Sequence, residues 1–243
     1  MSSRAPVFIG TAGWSLRAEL ATLFPPEGSQ LERYAAVMNC VEINSSFYRP
    51  HQTKTYERWA ASTPEGFRFA VKLPKQITHE GRLKNADELL PRFVAEAGGL
   101  GPKWAVLLVQ LPPSLQFDAA LAGRFFAQLR AAFGGAMVCE PRHTTWFTPE
   151  AERLMVQHEV SRAAVDPAKW PGAEAPAGHP QTAYFRWHGS PRIYWSTYEP
   201  AWLEAQAQQL KALPAGTARW CIFDNTAAGA ALQNALQLQA LLR

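Results

Sequence analysis

The residues of this chain that could do chemistry stand at the ends of apolar runs. In MVCEPRHTTWF (137–147) a short apolar stretch gives way to Glu140, Pro141, Arg142 and His143, with Trp146 close behind. Side chains along a β-strand point alternately to opposite faces. Glu140 and Arg142 therefore share a face, Cys139 turns the other way, and Pro141, which has no N–H for a ladder, ends the strand. The pattern recurs. CVEIN (40–44) presents Glu42 and Asn44, FRFAVK (67–72) presents Lys72, and AVLLVQ (105–110) presents Gln110. The run 162–166 presents Asp166, TAYFRWH (182–188) presents Arg186 and His188, and RWCIFD (219–224) presents Asp224.

Two chemistries suit such a set. Carboxylates can work as an acid/base pair, with Glu140 as acid/base and Glu42 or Asp224 as the second carboxylate. Glycosidase-type chemistry would set such a pair ~5–5.5 Å apart for retention or ~6.5–9.5 Å for inversion. Lys72, Arg142 and Arg186 can clamp an anion, since a guanidinium offers a planar fork to phosphate or carboxylate. His79, His143 and His188 flank these charges. Trp14, Phe47, Tyr48, Trp146, Trp170, Tyr194 and Tyr198 fall in or beside loops at the same end and could wall a sugar or a base. The competing reading is a buried ion-pair network that satisfies itself, each carboxylate merely paired to an arginine or lysine. A divalent-metal site from Glu42, Glu140, Asp166, His188 and Asp224 is the minority reading, because three cations are interleaved with these ligands. No cofactor is predicted. There is no GxSxG, Walker loop or HExxH.

These ends converge only if the strands are parallel. Eight strand-like runs, mostly separated by helical patterns, fill the 243 residues, beginning with VFIGT (7–11). Helices are expected over 31–38, 53–61, 86–97 (with Asn85 and Glu88 as a capping box), from the Asp118 cap to 133, from Thr148-Pro149, over 200–213, and over 227–242 capped by Asn225 or Thr226. That alternation predicts an α/β fold, a (β/α)₈ barrel over 1–243 as one domain, whose strand ends meet at one mouth. A doubly wound sheet lacks its glycine-rich turn here. The connection 167–180, rich in Pro, Ala and Gly, shows no helix, so the crossover from the sixth to the seventh strand is irregular and could serve as a lid.

Bulk composition narrows the field. No stretch approaches the ~20 apolar residues of a membrane helix, and MSSRAPVFIG has no signal-peptide h-region. The three cysteines (Cys40, Cys139, Cys221) are far apart in strand-like segments, as buried reduced thiols of a cytoplasmic protein would be. Net charge is only +4, with no Lys/Arg block. A nucleic-acid-binding or -processing role is therefore the second reading, behind a small polar, anionic, carbohydrate- or nucleotide-like ligand, and a non-catalytic ligand-binding role is the third.

The motifs together resemble the family named domain of unknown function 72, also called YecE-like. They are GTAGW (10–14), VEINSSFYR (41–49), FAVKLP with Thr78-His79, LLVQLPPS (107–114), CEPRH with Trp146, FRWHGS (185–190) and FDNTAAGAALQNA (223–235). The resemblance runs from residue 10 to 235 and implies a TIM-barrel-like fold without implying an activity. One departure is Asp224-Asn225-Thr226 where the family pattern would read Asn-Asn-Thr; the acid adds negative charge to the mouth.

Overall fold

The computed structural model describes residues 5–84 and 86–243. Asn85, expected to open a capping box, lies outside the described residues. The strands are β1 (Val7–Thr11), β2 (Cys40–Ile43), β3 (Arg68–Lys72), β4 (Trp104–Gln110), β5 (Ala136–Glu140), β6 (Val160–Arg162), β7 (Ala164–Asp166), β8 (Ala177–Gly178), β9 (Thr182–Trp187) and β10 (Ala218–Phe223). The helices are α1 (Gln30–Ala35), α2 (Ser45–Tyr48), α3 (Thr53–Ala61), α4 (Leu89–Ala97), α5 (Ala119–Ala132), α6 (Pro149–Gln157), α7 (Pro200–Ala212) and α8 (Ala230–Leu241).

The strands form two parallel ladders, β2-β3-β4-β5-β6 and β1-β10-β9-β7, with β8 added antiparallel to β6. They follow one another in chain order around a barrel-like ring, but not as one closed sheet. The ladder parts at Ala163, where a single run passes from β5 to β9 as β6 and then β7. It parts again between β1 and β2, where the backbone bridge is Ala12 to Glu42. Side chains stand in for the ladder at this second seam. The Asn39 amide accepts from Ile9 N (2.9 Å) and donates to Val7 O (2.8 Å). The Tyr34 hydroxyl accepts from Thr11 N (2.9 Å) and donates to Cys40 O (3.0 Å). The strands approach so closely here that a Cβ on Gly10 would lie 2.1 Å from Cys40 O, so only glycine fits.

Alternation sorts the strand residues into two apolar layers. Cys40, Ala70, Leu108, Val138, Tyr184 and Ile222 pack inside the ring. Their neighbours Val41, Val71, Val109, Cys139, Phe185 and Phe223 pack outside, against the helices. This inner face carries the polar strand ends, as expected for six of the seven strands. The exception is Asp166. Ala163 is inside and Ala164 outside, so Asp166 faces outward, where it accepts from the Tyr198 hydroxyl at 2.7 Å. The run Ala163-Ala164-Val165 is apolar on both faces, so its pattern does not say which face is inner.

Asp118 and Thr148 cap α5 and α6 as expected. α8 instead has Gly229, with its φ of 82°, at its N-cap position, and not Asn225 or Thr226. α4 starts at Leu89, three residues beyond the expected 86. The connection from β7 to β9 has no helix; it runs through turns and the two-residue β8, pinned where Arg162 donates to Gly172 O (2.9 Å). No helix among the described residues is long and apolar enough to cross a membrane.

Candidate functional site

The centre of the mouth is Arg186, on the inner face of β9 and fully buried. Its guanidinium grips Glu42 bidentately, Nε to Oε2 at 2.9 Å and Nη2 to Oε1 at 2.7 Å. Nη1 donates to Glu140 Oε2 (2.5 Å) and Nη2 also to Asp224 Oδ2 (3.0 Å). Tyr184, two residues earlier on the same face, donates to Glu42 Oε2 at 2.8 Å. The other oxygen of Glu140 accepts from Gln110 Nε2 (3.0 Å) and Arg142 Nε (2.9 Å). Asp224 also bonds His188 Nδ1 at 3.0 Å. His188 Nε2 stands 3.7 Å from Glu140 Oε1, too long for a hydrogen bond but close enough for charge to be felt.

These contacts set the protonation states. Burial would raise the Glu140 carboxyl, but Arg186 and Arg142 outweigh it and hold the group well below the usual carboxylate range. Asp224 is lowered in the same way: burial opposes, and Arg186 and His188 prevail. Burial alone would lower His188, yet Asp224 and Glu140 beside it raise its pKa. Lys72 is different. Burial, then the charge of Arg186, push its ammonium down to about 8 against the pull of the three carboxylates. Its Nζ lies 4.1 Å from the centre of the Phe47 ring, and no carboxylate comes within salt-bridge reach among the described residues.

The structure thus gathers Glu42, Lys72, Gln110, Glu140, Arg142, Arg186, His188 and Asp224 at one end of the ring. The other expected site residues are placed elsewhere. Trp14 packs edge-on to Trp59 at 5.1 Å. Trp146 is a core residue donating to Leu115 O (3.0 Å). His143 caps a short turn through Thr145 (2.9 Å). Asn225 is buried, joining Ser196 O (2.9 Å) and Asn234 Oδ1 (3.0 Å). Asn44 precedes α2, its buried Oδ1 without a partner among the described residues. Tyr48 is 71% exposed and touches Phe47. His79, on a π-helical turn, packs edge-on to Phe47 at 4.9 Å; burial, Lys72 and Arg142 lower its pKa.

A cavity of about 340 Å³ opens over Glu140, Arg142 and His188. Trp170 and Lys169 come to it from the β7–β9 connection, Ile193 and Tyr194 from the loop after β9. The first connection lies where a lid was expected. Tyr184, which alternation places on one face with Arg186 and His188, adds a donor to the site, whereas Ile193, in a long loop, has no sequence signal. Glu42 is fully buried, with both oxygens bonded to Arg186, and it does not line this cavity. Glu42 and Glu140 therefore share one guanidinium and do not face each other across a substrate. Among the described residues, no group of three or more His, Cys, Asp or Glu could hold a metal ion.

Parallel strands around a polar mouth, with helices outside, are the architecture of barrel-like α/β proteins. A 3-keto-L-gulonate-6-phosphate decarboxylase from Vibrio cholerae shares that fold at TM-score 0.54 and 11% identity, with 99% of this chain and 98% of that chain covered. The family described as protein of unknown function DUF72 matches residues 8–243, and the chain belongs to it. A DUF72 family protein from Thermotoga maritima superposes with TM-score 0.79 at 25% identity, covering 97% of this chain and 98% of that one. Another from Enterococcus faecalis gives 0.79 at 20% identity, covering 98% and 95%. UPF0759 protein YecE of Escherichia coli K12 is 29% identical over 144 residues, 57% of this chain and 52% of YecE. UPF0759 protein YunF of Bacillus subtilis is 29% identical over 154 residues, 59% and 53% of the two chains. The chain thus spans about half the length of the curated relatives it matches.

Proposed function

We propose that the mouth binds a small anionic molecule and moves a proton through His188. One atom carries this reading. His188 Nε2 is buried, has no hydrogen-bond partner among the described residues, and belongs to a residue that lines the cavity. Such an orphaned group costs about 1–3 kcal/mol, a cost that a ligand atom in the cavity would remove. The other ring nitrogen is committed. Asp224 stays ionised and can only accept, so Nδ1 carries the proton of their 3.0 Å contact. Nε2 then offers a lone pair when the ring is neutral and an N–H when it is charged, which is what a general acid/base needs.

Glu140 fits this role less well than His188. Its oxygens accept from Arg186, Arg142 and Gln110, and its lowered pKa keeps it from donating a proton near neutrality. It holds Arg142 and His188 beside each other instead. Arg142 spends only Nε on Glu140, which leaves its two terminal nitrogens without a protein hydrogen bond among the described residues. With Lys169 in the same cavity wall, the free donors favour an anion.

The test is an NMR titration of the His188 imidazole with acetate and with phosphate. Under this reading an anion shifts the His188 resonances and raises its pKa further, and Arg142→Gln weakens the response. If neither anion alters the His188 titration, the reading is wrong.

A further inference from the structure

We infer that the ligand of this mouth is an amphipathic monoanion, with an apolar or planar body against Trp170 and Tyr194 and a carboxylate head at Arg142 and His188. The inference rests on the anion site proposed above and names its class. Most of the cavity wall is apolar: Pro141, Phe147, Val165, Pro167, Trp170 and Ile193 all contribute. Glu140, Arg142 and His188 converge at one end, because Arg142 and His188 both stand against Glu140. Tyr194 is edge-on to His188, with ring centres 5.8 Å apart.

Three alternatives fail on chemistry. A polyol would bury most of its hydroxyls against the apolar walls, where they find no partners. A neutral apolar molecule would leave His188 Nε2 orphaned. A phosphate dianion would stand against Glu140 in the cavity wall, with Glu42 and Asp224 held around the same guanidinium behind it, and repulsion grows with ligand charge. A single negative charge is the compromise.

The aromatic wall is also pre-set. Tyr194 has φ of 70°, a left-handed conformation rare for a bulky residue. Its amide donates to His188 O, and its carbonyl accepts from Ala227 N at 3.0 Å. Such backbone strain tends to collect at functional sites. Here it fixes the Tyr194 backbone beside the proton-carrying imidazole.

The experiment titrates the full chain with benzoate, acetate, benzyl alcohol, inorganic phosphate and glucose 6-phosphate, read by calorimetry and by the His188 resonances. The inference expects benzoate to bind roughly tenfold or more tighter than acetate, from the apolar area its ring buries, and at least about tenfold tighter than benzyl alcohol, from the charge-assisted bonds of its carboxylate. Trp170→Ala should erase the benzoate advantage over acetate, and Arg142→Gln its advantage over benzyl alcohol; the exposed Lys169→Gln should weaken both anions without disturbing the fold. If phosphate or glucose 6-phosphate binds as tightly as benzoate, the inference is overturned and the anion site stands. Benzyl alcohol equal to benzoate overturns both. If all five stay weaker than about 10 mM, above the millimolar range of specific small-ligand binding, the inference is also overturned.

Discussion

Replacing Arg186 with methionine removes the keystone of the mouth. Arg186 makes four hydrogen bonds to three carboxylates. Without it Glu140 keeps Arg142 and Gln110, and Asp224, 8% exposed, keeps His188 and some access to water. Glu42 keeps only the Tyr184 hydroxyl at zero exposure. Breaking a buried ion pair by removing one partner typically costs about 3–5 kcal/mol, a large part of the ~5–15 kcal/mol that holds a domain folded. We expect Arg186→Met to lose about 3–5 kcal/mol in urea denaturation at pH 7.5, and Glu42→Gln in the same chain to restore part of it by removing the stranded charge. The deficit should also depend on pH. Arg186 depresses the folded pKa of Glu140 and Asp224, so it contributes stability that is present above their unfolded values and lost as pH falls through the folded ones. Wild type should therefore lose more stability on acidification than the variant, and the gap should narrow. A loss below about 1 kcal/mol, or a gap that stays constant with pH, would refute the claim that these carboxylates depend on Arg186.

Three further outcomes follow from other parts of the structure. Lys72 titrates near 8 when folded and near 10.5 unfolded, so the unfolded chain binds more protons between those values and stability rises with pH across that window; Lys72→Met should remove the rise and stabilise the protein at pH 7 by about 1–3 kcal/mol, as read by denaturation at pH 7 and pH 10. Tyr34→Phe should cost about 1–3 kcal/mol, because Cys40 O loses its donor at the β1–β2 seam and Thr11 N its acceptor; a change within error would mean that water replaces the hydroxyl. All three cysteines are free and buried, with burial pushing the thiol pKa up, so a thiol reagent should label them only after unfolding, at a rate that follows denaturant.

Much of the site could be read from the sequence because charge interrupts apolar strands. Lys72, Glu140, Arg186 and Asp224 stand where a buried run should continue, and period-2 alternation assigns their face without knowledge of the turns. Asp166 is the exception: Ala163, Ala164 and Val165 leave both faces equally apolar, so alternation does not orient it, and it faces away from the mouth. The aromatics failed for another reason. Trp146 packs in the core and the half-buried Trp14 against it, whereas Trp170 and Tyr194 line the cavity; composition treats all four alike, and only the path of long loops separates them. The partnership of the carboxylates was equally hidden. Alternation brings Glu42 and Glu140 to one mouth, but that both bind Arg186, and that Glu42 is sealed, depends on side-chain reach across the ring. Nor does any local pattern announce that Asn39 and Tyr34 replace a backbone ladder.

His188 is held by Asp224 and open at Nε2, and the most direct measurement of its role is its imidazole titration by NMR in the wild type and in Asp224→Asn. The geometry predicts a pKa above the ordinary 6.5, a neutral form protonated on Nδ1, and a fall in pKa when the Asp224 charge is removed. The stability this histidine contributes would then be complete below its unfolded pKa and lost as pH rises through the folded one. A His188 pKa at or below its ordinary value, unmoved by Asp224→Asn, would contradict the account.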